Sequence, residues 1–472
     1  MITSVTPVAA TLSVDDRTYE QLYSAASSRL EAGAVVLATM VTSPTGHVRL
    51  TATKVIPVPD DAYLVRMSDR LTIGSEGYMH ALAEAEATGT VALWVHTHPG
   101  NGSRVSPSRH DIVVNDELRE VFALRSHAAV YGWMVLGHQD GSLTFTGALE
   151  EQPDSQTHIT RLNVVGSRFK RLVAQDDHSG TQFEAGGLPD LFDRNIRALG
   201  TEVQKVIGDL TFGLVGAGGT GSAVAEQLVR LGVRRLLIID PDVLSISNTT
   251  RVYGSTPQDV GQPKVEVLAE HLKRIAPDLH VDVAQGDIVT EVVARRLLDA
   301  DLVFGCTDDN AGRLRLSRLP YFFGIPVIDC GVILTSDSSE LIDGIFGRVS
   351  ALHPGTACLV CRDRIDLARA EAEVRDPAEQ ERLERDGYAA ALPGVEPALV
   401  PFTTMVAAWA VSELLERLIG YGEDPTPSEV LLRVHDRRVG ANLQLPTVGH
   451  YCDPDKQLEH DENMFLGMNW TR

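Results

Sequence analysis

A glycine-rich run in this 472-residue chain stands between an expected strand and an expected helix. Gly216, Gly218 and Gly221 have G-x-G-x-x-G spacing and follow the largely apolar residues 211–215. Glycines at such positions allow a tight turn and close approach of the backbone to a phosphate, whose charge the next helix N-terminus favours. Asp240 ends the next expected strand, where a carboxylate can accept hydrogen bonds from ribose hydroxyls. The run therefore predicts a bound nucleotide, and by itself it suits a dehydrogenase as well as an ATP-using enzyme.

The polar residues downstream separate these two interpretations. The chain contains, in order, D-x-D at 240–242, S-N-x-x-R at 247–251, G-x-x-K at 261–264 and C-T-D at 306–308. This series resembles the superfamily of ThiF, MoeB and the ubiquitin-activating enzymes. The resemblance implies that Asp240 holds the ribose of ATP and that Asp308 binds Mg²⁺. It further implies that Asn248, Arg251 and Lys264 contact phosphates. A dehydrogenase has no use for this set.

The chemistry of adenylation explains why these residue types are needed. Attack of a carboxylate on the α-phosphorus of ATP builds negative charge on the phosphate oxygens and on the departing pyrophosphate. Positioned cations, here Arg251 and Lys264, and Mg²⁺ stabilise that charge. Upstream, residues 193–195 (Asp-Arg-Asn) resemble the family segment whose arginine reaches the partner subunit's active site. The resemblance therefore implies a homodimer in which Arg194 is a catalytic residue across the interface.

Five cysteines are an odd, low count, which in a chain expected to be cytosolic favours metal or thiol chemistry over a disulfide framework. Residues 386–402, where the family's thioester-forming enzymes carry a cysteine, contain none. Cys330, at an expected strand end, is predicted to be a core residue, and Cys306 a structural one. The cysteines leave the predicted adenylation unaffected, but they leave open whether the acyl group then passes to a thiol of this chain.

A second group of cysteines has the spacing of a zinc knuckle. Cys358 and Cys361 form C-x-x-C, and His450 and Cys452 follow a strand-like stretch at 430–445. In the ThiF and MoeB pattern a second C-x-x-C stands there, and H-x-C replaces it in this chain. A structural zinc site of three cysteines and one histidine is the prediction. Without zinc, these cysteines become candidates for the covalent transfer thiol.

The N-terminal part of the chain carries a different group of candidate metal-binding and catalytic residues. His96-Thr-His98 is followed by Ser108 and Asp111, and this pattern resembles the JAMM (JAB/MPN) metalloproteases. The resemblance covers about residues 10–148. It implies that His96, His98 and Asp111 bind a catalytic zinc ion, that Ser108 stabilises the oxyanion, and that an upstream glutamate activates the metal-bound water.

Glu31 is the predicted general base of that site. It stands at the end of an expected helix over residues 17–32 and just before an expected apolar strand at 34–41, as the family's glutamate does. Glu31 would take the proton of the water and pass it to the leaving amine. Glu20 and Glu76 are the alternatives.

Length and composition are consistent with an α/β protein of several domains. A chain with 43% hydrophobic and 22% charged residues is globular, and 472 residues exceed a single ordinary core. We expect an N-terminal α+β domain of JAMM type, which is cytidine-deaminase-like, and a C-terminal doubly wound, Rossmann-like domain of ThiF type. The strands expected in the second are 211–215, 235–239, 302–305 and 326–328. The expected boundaries are a JAMM domain at 1–150, a connector at 151–190, a ThiF-like domain at 191–445 and a tail at 446–472.

Charge and hydropathy limit the partners. A net charge of −22 disfavours nucleic acid, which would need clustered basic residues. No apolar run reaches the roughly 20 residues needed to span a bilayer, and no signal peptide begins the chain, so we expect a cytoplasmic protein without a membrane partner.

The two resemblances share one substrate. JAMM domains cut after the C-terminal glycine of ubiquitin-like proteins, and ThiF-like domains activate that glycine. The combined interpretation is a bacterial-type fusion that adenylates a ubiquitin-like protein with ATP and Mg²⁺ and processes or deconjugates it with zinc, beside a conjugating enzyme or a sulfur donor. Two alternatives stay open: an inactive nucleotide-binding scaffold or sensor, and adenylation of a small molecule or RNA.

Overall fold

The computed structural model describes residues 9–100, 105–152, 155–175, 190–336, 341–376, 378–379, 382, 398–422 and 424–456. The chain divides near residue 180 into two compact units, here called the N-terminal and the C-terminal unit. Among the described residues, no helix combines the length and apolarity that crossing a membrane requires.

The N-terminal unit is built on one large sheet with three helices. Its strands are β1 (Ala9–Val14), β2 (Gly33–Thr42), β3 (Val48–Pro57), β4 (Tyr63–Arg66), β5 (Leu71–Ile73), β6 (Val91–Thr97), β7 (Tyr131–Gln139), β8 (Ser142–Gln152), β9 (Ser155–Val165) and β10 (Phe169–Val173). Its helices are α1 (Asp16–Ala26), α2 (Glu76–Thr88) and α3 (Arg109–Arg125). The sheet order is β1-β3-β2-β6-β7-β8-β9-β10, and β1 also pairs with β9, so the sheet closes on itself, while β4 and β5 form a separate pair.

Both faces of this sheet are covered, which explains why β2 and β6 are mostly apolar. One core holds Val36 of β2 and Leu22 of α1. The other core holds Val35 of β2 together with Leu82 of α2 and Phe122 of α3. Because successive residues of a strand face opposite sides, His96 lies on the same side of the sheet as the second core.

Two expectations for this region are corrected. The helix expected over residues 17–32 ends at Ala26, because Ser27 turns its hydroxyl back to the Tyr23 carbonyl (2.7 Å) and the Ser28 hydroxyl accepts from Leu30 N (3.2 Å). The connector expected at 151–190 is in large part a component of the N-terminal sheet, since β9 and β10 lie within it. The long-range pairing of β9 with β1 stabilises these strands, and no local pattern reveals that pairing.

The C-terminal unit has a doubly wound sheet with an antiparallel extension. Its strands are β11 (Thr211–Val215), β12 (Arg235–Ile239), β13 (His280–Ala284), β14 (Leu302–Gly305), β15 (Val327–Ser336), β16 (Ile342–Leu352), β17 (Glu429–Arg433) and β18 (Arg438–Asn442). Its helices are α4 (Asp193–Leu199), α5 (Thr201–Asp209), α6 (Gly219–Arg230), α7 (Lys264–Ile275), α8 (Glu291–Ala294), α9 (Asn310–Leu316), α10 (Leu319–Phe323), α11 (Leu367–Glu373) and α12 (Val400–Ile419).

The strand order β13-β12-β11-β14-β15-β16-β17-β18 reverses direction between β11 and β14. β11 to β15 are parallel, and β16 to β18 continue the sheet in antiparallel fashion. The apolar helix α12 packs against α6, β15 and β16. In sheets of this kind, ligands bind at the carboxyl ends of the strands beside such a reversal. The fold therefore directs attention to the residues that follow β11 and β14.

Candidate functional site

The glycine-rich loop follows β11 at this reversal point. Gly216 has a left-handed backbone (φ +95°) that favours glycine. A Cβ on Gly221 would lie 1.8 Å from the Gly216 carbonyl oxygen, so only glycine fits where α6 crosses the loop. Gly218 differs, because a Cβ there would meet no atom within 4 Å and its φ of −76° suits any residue. Two of the glycines thus shape the loop, and the third leaves an open face beside the N-terminus of α6.

Asp240 braces the loop from the end of β12. Its buried carboxylate accepts hydrogen bonds from Ala217 N (2.6 Å) and from Asp242 N (2.8 Å). Burial raises the pKa of Asp240, against the opposing charge of Lys264. The predicted ribose-binding residue therefore also has a structural task, which is to hold the second residue of the loop.

The two predicted phosphate-binding cations are placed around this loop and Asp240. The stem of Arg251 lies against the first turn of α6, since a Cβ on Gly219 would be 3.2 Å from Arg251 Cγ. Lys264 begins α7 and is buried, with its Nζ 2.6 Å from Oδ2 of Asp242. The sequence pattern assigns no role to Asp242, although it is the second aspartate of D-x-D. Its pairing with Lys264 holds that ammonium group near Asp240.

Asn248 has a structural role that the sequence pattern does not indicate. Its buried side chain accepts a hydrogen bond from Ser245 N (2.9 Å) and caps the short helical turn that carries Arg251. The amide oxygen is therefore occupied by the protein's own backbone. Asn248 positions the S-N-x-x-R turn, and its direct contact with a phosphate stays a prediction.

The C-T-D segment approaches the loop from β14. The Cys306 carbonyl oxygen would be 2.6 Å from a Cβ on Gly216, which places the two segments side by side. Asp309 caps α9 by accepting from Gly312 N (2.7 Å) and from the Thr307 hydroxyl (2.6 Å), and burial raises its pKa. Asp308, by contrast, is exposed. Of the two neighbouring aspartates, Asp308 is thus the one whose carboxylate is available to a metal ion.

Arg194 lies outside this cluster. It is exposed on α4, next to the ion pair of Arg197 with Asp193 (2.8 Å). Its reach into the active site of a partner subunit stays a prediction.

The four expected zinc ligands of the C-terminal unit come together. His450 Nδ1 lies 3.5, 3.4 and 3.4 Å from the sulfurs of Cys358, Cys361 and Cys452, and the sulfurs of Cys361 and Cys452 are 3.6 Å apart. Tetrahedral ligands about 2.0–2.3 Å from one ion are separated by about 3.5–3.8 Å, so this set fits zinc. The hydrogen bond between Cys358 and Cys452 lowers the pKa of Cys358 and raises that of Cys452, so the proton that the two thiols share lies on Cys452. Cys330, by comparison, is buried in β15, as expected of a core residue.

The N-terminal unit brings together its own predicted ligands. His96 Nε2 and His98 Nε2 are 3.1 Å apart and lie 3.2 Å from the two carboxylate oxygens of Asp111. Burial opposes ionisation of Asp111, but its hydrogen bonds with the two histidines outweigh burial and lower its pKa. Two imidazole nitrogens and a carboxylate that face one point are a suitable donor set for zinc, with a fourth position left for water. These three residues therefore fit the predicted ion.

Glu31 and Ser108 flank that group in different ways. Glu31 is buried two residues before Gly33, which pairs with His96, and burial raises its pKa while the charge of His98 opposes the rise. Ser108 caps α3: its hydroxyl accepts from Asp111 N (3.2 Å) and its N–H donates to Asp111 Oδ2 (2.6 Å). Ser108 thus positions a predicted ligand, and its oxyanion role stays a prediction.

The alternative bases differ from Glu31 in exposure. Glu20 on α1 and Glu76 at the start of α2 are both exposed. A cavity of about 270 Å³ adjoins His96 and Asp111 and is lined by apolar side chains that include Trp94 and Tyr78. Sequence reasoning did not identify this cavity, because its walls come from β5, β6, α2 and α3, which are distant in sequence.

Residues 192–440 match the ThiF family. The chain belongs to the ThiF family. This assignment covers the C-terminal unit with its glycine loop, Arg251, Lys264 and Asp308, and it confirms the α/β, Rossmann-like fold expected there.

Relatives with a name match a little under half of this chain. It is 30% identical over 234 residues to ubiquitin-like modifier-activating enzyme 5 of Oryza sativa subsp. japonica, covering 46% of this chain and 50% of the relative. It is 28% identical over 229 residues to the enzyme of the same name in Caenorhabditis elegans, covering 46% and 49%. The chain thus spans about half the length of these relatives. Among solved structures, E. coli MccB with ATP is 17% identical, with a TM-score of 0.43 and coverage of 56% of this chain and 74% of MccB.

Proposed function

We propose that the C-terminal unit uses ATP and Mg²⁺ to adenylate the C-terminal glycine of a ubiquitin-like protein. The observation that carries this proposal is the arrangement of the glycine loop, Arg251, Lys264 and Asp308 around the reversal point of a ThiF-family sheet. Relatives named as ubiquitin-like modifier-activating enzymes supply the substrate class.

The proposed reaction assigns each residue a task. The open face at Gly218 and the N-terminus of α6 bind phosphate oxygens, and Asp240 orients the ribose. An oxygen of the glycine carboxylate forms a bond to the α-phosphorus, and the bond from that phosphorus to pyrophosphate breaks. Arg251 and Lys264 stabilise the charge that develops. Asp308 would hold Mg²⁺, which when bound neutralises phosphate charge.

The fate of the adenylate is part of the same proposal. Residues 386–402 contain no cysteine, and most of this segment lies outside the described residues. Cys330 is buried, and Cys358, Cys361 and Cys452 belong to the set that fits zinc. A hydrogen bond with Cys330 and burial raise the pKa of the Cys306 thiol, which disfavours its nucleophilic thiolate form. A thiol of this chain is therefore a poor acceptor, and we infer that the acyl group passes to a separate protein, either a conjugating enzyme or a sulfur donor.

For the N-terminal unit we propose a JAMM-type zinc peptidase that processes or deconjugates the same ubiquitin-like protein. Convergence of His96, His98 and Asp111 beside the buried Glu31 supports this proposal. These three residues would hold zinc, which when bound makes water more acidic. Glu31 accepts the proton of that water and donates it to the leaving amine, and Ser108 is proposed to donate to the oxyanion.

The adenylation proposal is tested by ATP–pyrophosphate exchange. Purified protein is assayed with a panel of ubiquitin-like proteins that end in glycine, including any encoded beside its gene. We expect exchange that depends on one of them and is lost in Lys264→Ala. Lys205→Ala, an exposed lysine on α5 paired with Glu202, is the matched control and should exchange normally. Binding of ATP without exchange for any partner would favour the scaffold interpretation.

The peptidase proposal has an independent test. Zinc content is measured in the wild type, in His98→Ala and in Glu31→Gln, together with cleavage of a fusion that extends the terminal glycine. We expect Glu31→Gln to retain zinc and lose cleavage, and His98→Ala to lose cleavage together with one zinc ion per chain, while the zinc of the cysteine set remains. Glu76→Gln, an exposed glutamate, is the control. Wild-type protein that contains no zinc at this site and cleaves nothing would refute the proposal.

A further inference from the structure

Arg348 of β16 holds its guanidinium group over the middle of β15. The two strands are antiparallel, with Arg348 opposite Gly331. A Cβ on Gly331 would lie 3.1 Å from Nη2 and 3.4 Å from Nε of Arg348, so the guanidinium occupies the space that a side chain would take. Nη2 lies 2.6 Å from Oδ2 of Asp329, whose side chain is fully buried. The absence of a side chain at position 331 and the buried carboxylate together fix this arginine in place.

This arginine is next to the C-T-D segment. Asp329 pairs in register with Gly305, the last residue of β14, and a Cβ on Gly305 would lie 3.1 Å from Asp329 Oδ1. The next residue, Cys306, has its carbonyl against Gly216 of the glycine loop. Contacts therefore run continuously from Arg348 through Asp329 and Gly305 to the proposed nucleotide site.

Two guanidinium groups, those of Arg348 and Arg313, lie near Asp329, and their combined positive charge exceeds the single negative charge of that carboxylate. A guanidinium has five N–H donors. Within the described residues, Arg348 donates a hydrogen bond from Nη1 to the Ser350 hydroxyl (2.6 Å) and forms ion pairs with Asp329 and, at 4.0 Å, with Glu429. Neither carboxylate oxygen of Asp329 has a hydrogen-bond partner in that part of the chain, so the contact of Arg348 with Asp329 is electrostatic. Arg313 of α9 also approaches Asp329, with its Nε 4.0 Å from Asp329 Oδ1. This Nε has no hydrogen-bond partner in the described part of the chain.

Glu429 does not supply the missing charge. It is 4.0 Å from Arg348 Nη1, but both of its oxygens are engaged by Arg364, at 3.1 and 2.9 Å, and by Ser350 and Asn442. Arg348 and Arg313 therefore share the buried carboxylate of Asp329, and they retain N–H donors for a second carboxylate. Arginine binds carboxylates through parallel hydrogen bonds, so a carboxylate is the ligand that this pair would recognise.

We propose that Arg348 and Arg313 bind the free C-terminal carboxylate of the polypeptide substrate and hold it beside the α-phosphate. This inference rests on the adenylation activity proposed above. The carboxylate is a full anion before reaction, and it loses that charge when one of its oxygens bonds to the α-phosphorus. The pair therefore distinguishes a free terminus from a blocked one, and it binds the substrate more tightly than the acyl-adenylate.

The test begins with the ubiquitin-like protein that supports ATP–pyrophosphate exchange. If none does, the proposed function fails; if one does, the role of Arg348 is tested separately. Affinities of that protein with a C-terminal carboxylate and with a C-terminal amide are compared by calorimetry. We expect the amide form to bind about tenfold or more weakly to the wild type, as expected for loss of a charged hydrogen bond. Arg348→Ala should remove this preference and raise the KM for the protein substrate by a similar factor, with the KM for ATP unchanged.

Two further variants keep the test informative if Arg348→Ala does not fold. Arg348→Lys retains a cation for Asp329 without the planar fork, and Gly331→Ala places a methyl group where the guanidinium lies. Both should reduce the preference for the carboxylate form while melting near the wild-type temperature. Arg433→Ala is the matched control: Arg433 is an arginine of the neighbouring strand β17, opposite Phe346, which lies on the same face of β16 as Arg348. Equal affinity of the wild type for both forms, or an unchanged preference in these two folded variants, would overturn the inference.

Discussion

Replacing single glycines of the loop by alanine separates a structural role from a ligand-binding role. A methyl group on Gly221 would lie 1.8 Å from the Gly216 carbonyl oxygen, far inside van der Waals contact, so α6 or the loop must shift. Overpacking of this kind costs about 1–3 kcal/mol, and we expect Gly221→Ala to lower the melting temperature without any ligand. A methyl group on Gly218 meets no protein atom within 4 Å, and its φ of −76° is ordinary.

Gly218→Ala should therefore melt at or slightly above the wild-type temperature, since the loss of chain flexibility contributes about 0.4–1 kcal/mol. The phosphates of ATP, however, would have to lie against that methyl group. Thermal melts are measured with and without ATP and Mg²⁺, because a ligand stabilises by RT ln(1 + [L]/Kd). We expect the ATP-induced increase in Tm to be nearly lost in Gly218→Ala. A full ATP-induced increase in this variant would show that the phosphates do not lie on the loop.

Three further predictions concern the metal set, a buried charge and the subunit arrangement. Cys361→Ser should lose the zinc of the C-terminal unit and lower its Tm, whereas Cys330→Ser should leave the zinc content unchanged; equal metal content in both would contradict the proposed ligands. Hydrogen bonds outweigh burial and hold the pKa of Glu429 at about 2, so its stabilisation is complete above its ordinary pKa and is lost as pH falls from about 5 to 2. Glu429→Gln should thus reduce the dependence of Tm on pH in that range, and an unchanged slope would argue against it. Arg194→Ala and Lys264→Ala should each be inactive alone. Because we expect Arg194 to complete the partner's site, a mixture of the two variants should regain exchange activity through mixed dimers. A mixture without activity would contradict this role of Arg194.

Much of the C-terminal sheet could be predicted because parallel strands covered on both faces are continuously apolar. The strands expected at 211–215, 235–239 and 302–305 are confirmed. The strand expected at 326–328 continues to Ser336, since pairing with β16 extends it beyond its parallel neighbour. The strand-like stretch at 430–445 is a hairpin of β17 and β18. These differences arise from pairing between strands, which residue patterns do not specify.

The composition of the site was visible in the sequence, but the division of tasks within it was not. Asp308 and Asp309 are adjacent and chemically identical, and only the structure shows that Asp309 caps α9. Asn248 and Ser108 belong to recognised motifs, and each proves to bond to the backbone of its own turn. A short polar side chain can cap a helix or contact a ligand equally well, so its role depends on the direction in which it points. Arg348 could not be found from the sequence, because its partners Gly331 and Asp329 become neighbours through antiparallel pairing.

The central claim is most directly tested by the intact mass of the substrate. The protein is incubated with ATP, Mg²⁺ and the ubiquitin-like protein that supports exchange, with pyrophosphatase present to draw the reaction forward. We predict a substrate population heavier by one adenylate, which is absent with Lys264→Ala and which reverts when pyrophosphate is supplied in place of pyrophosphatase. Exchange-competent protein that leaves the substrate mass unchanged, or that transfers the γ-phosphate instead, would contradict C-terminal adenylation.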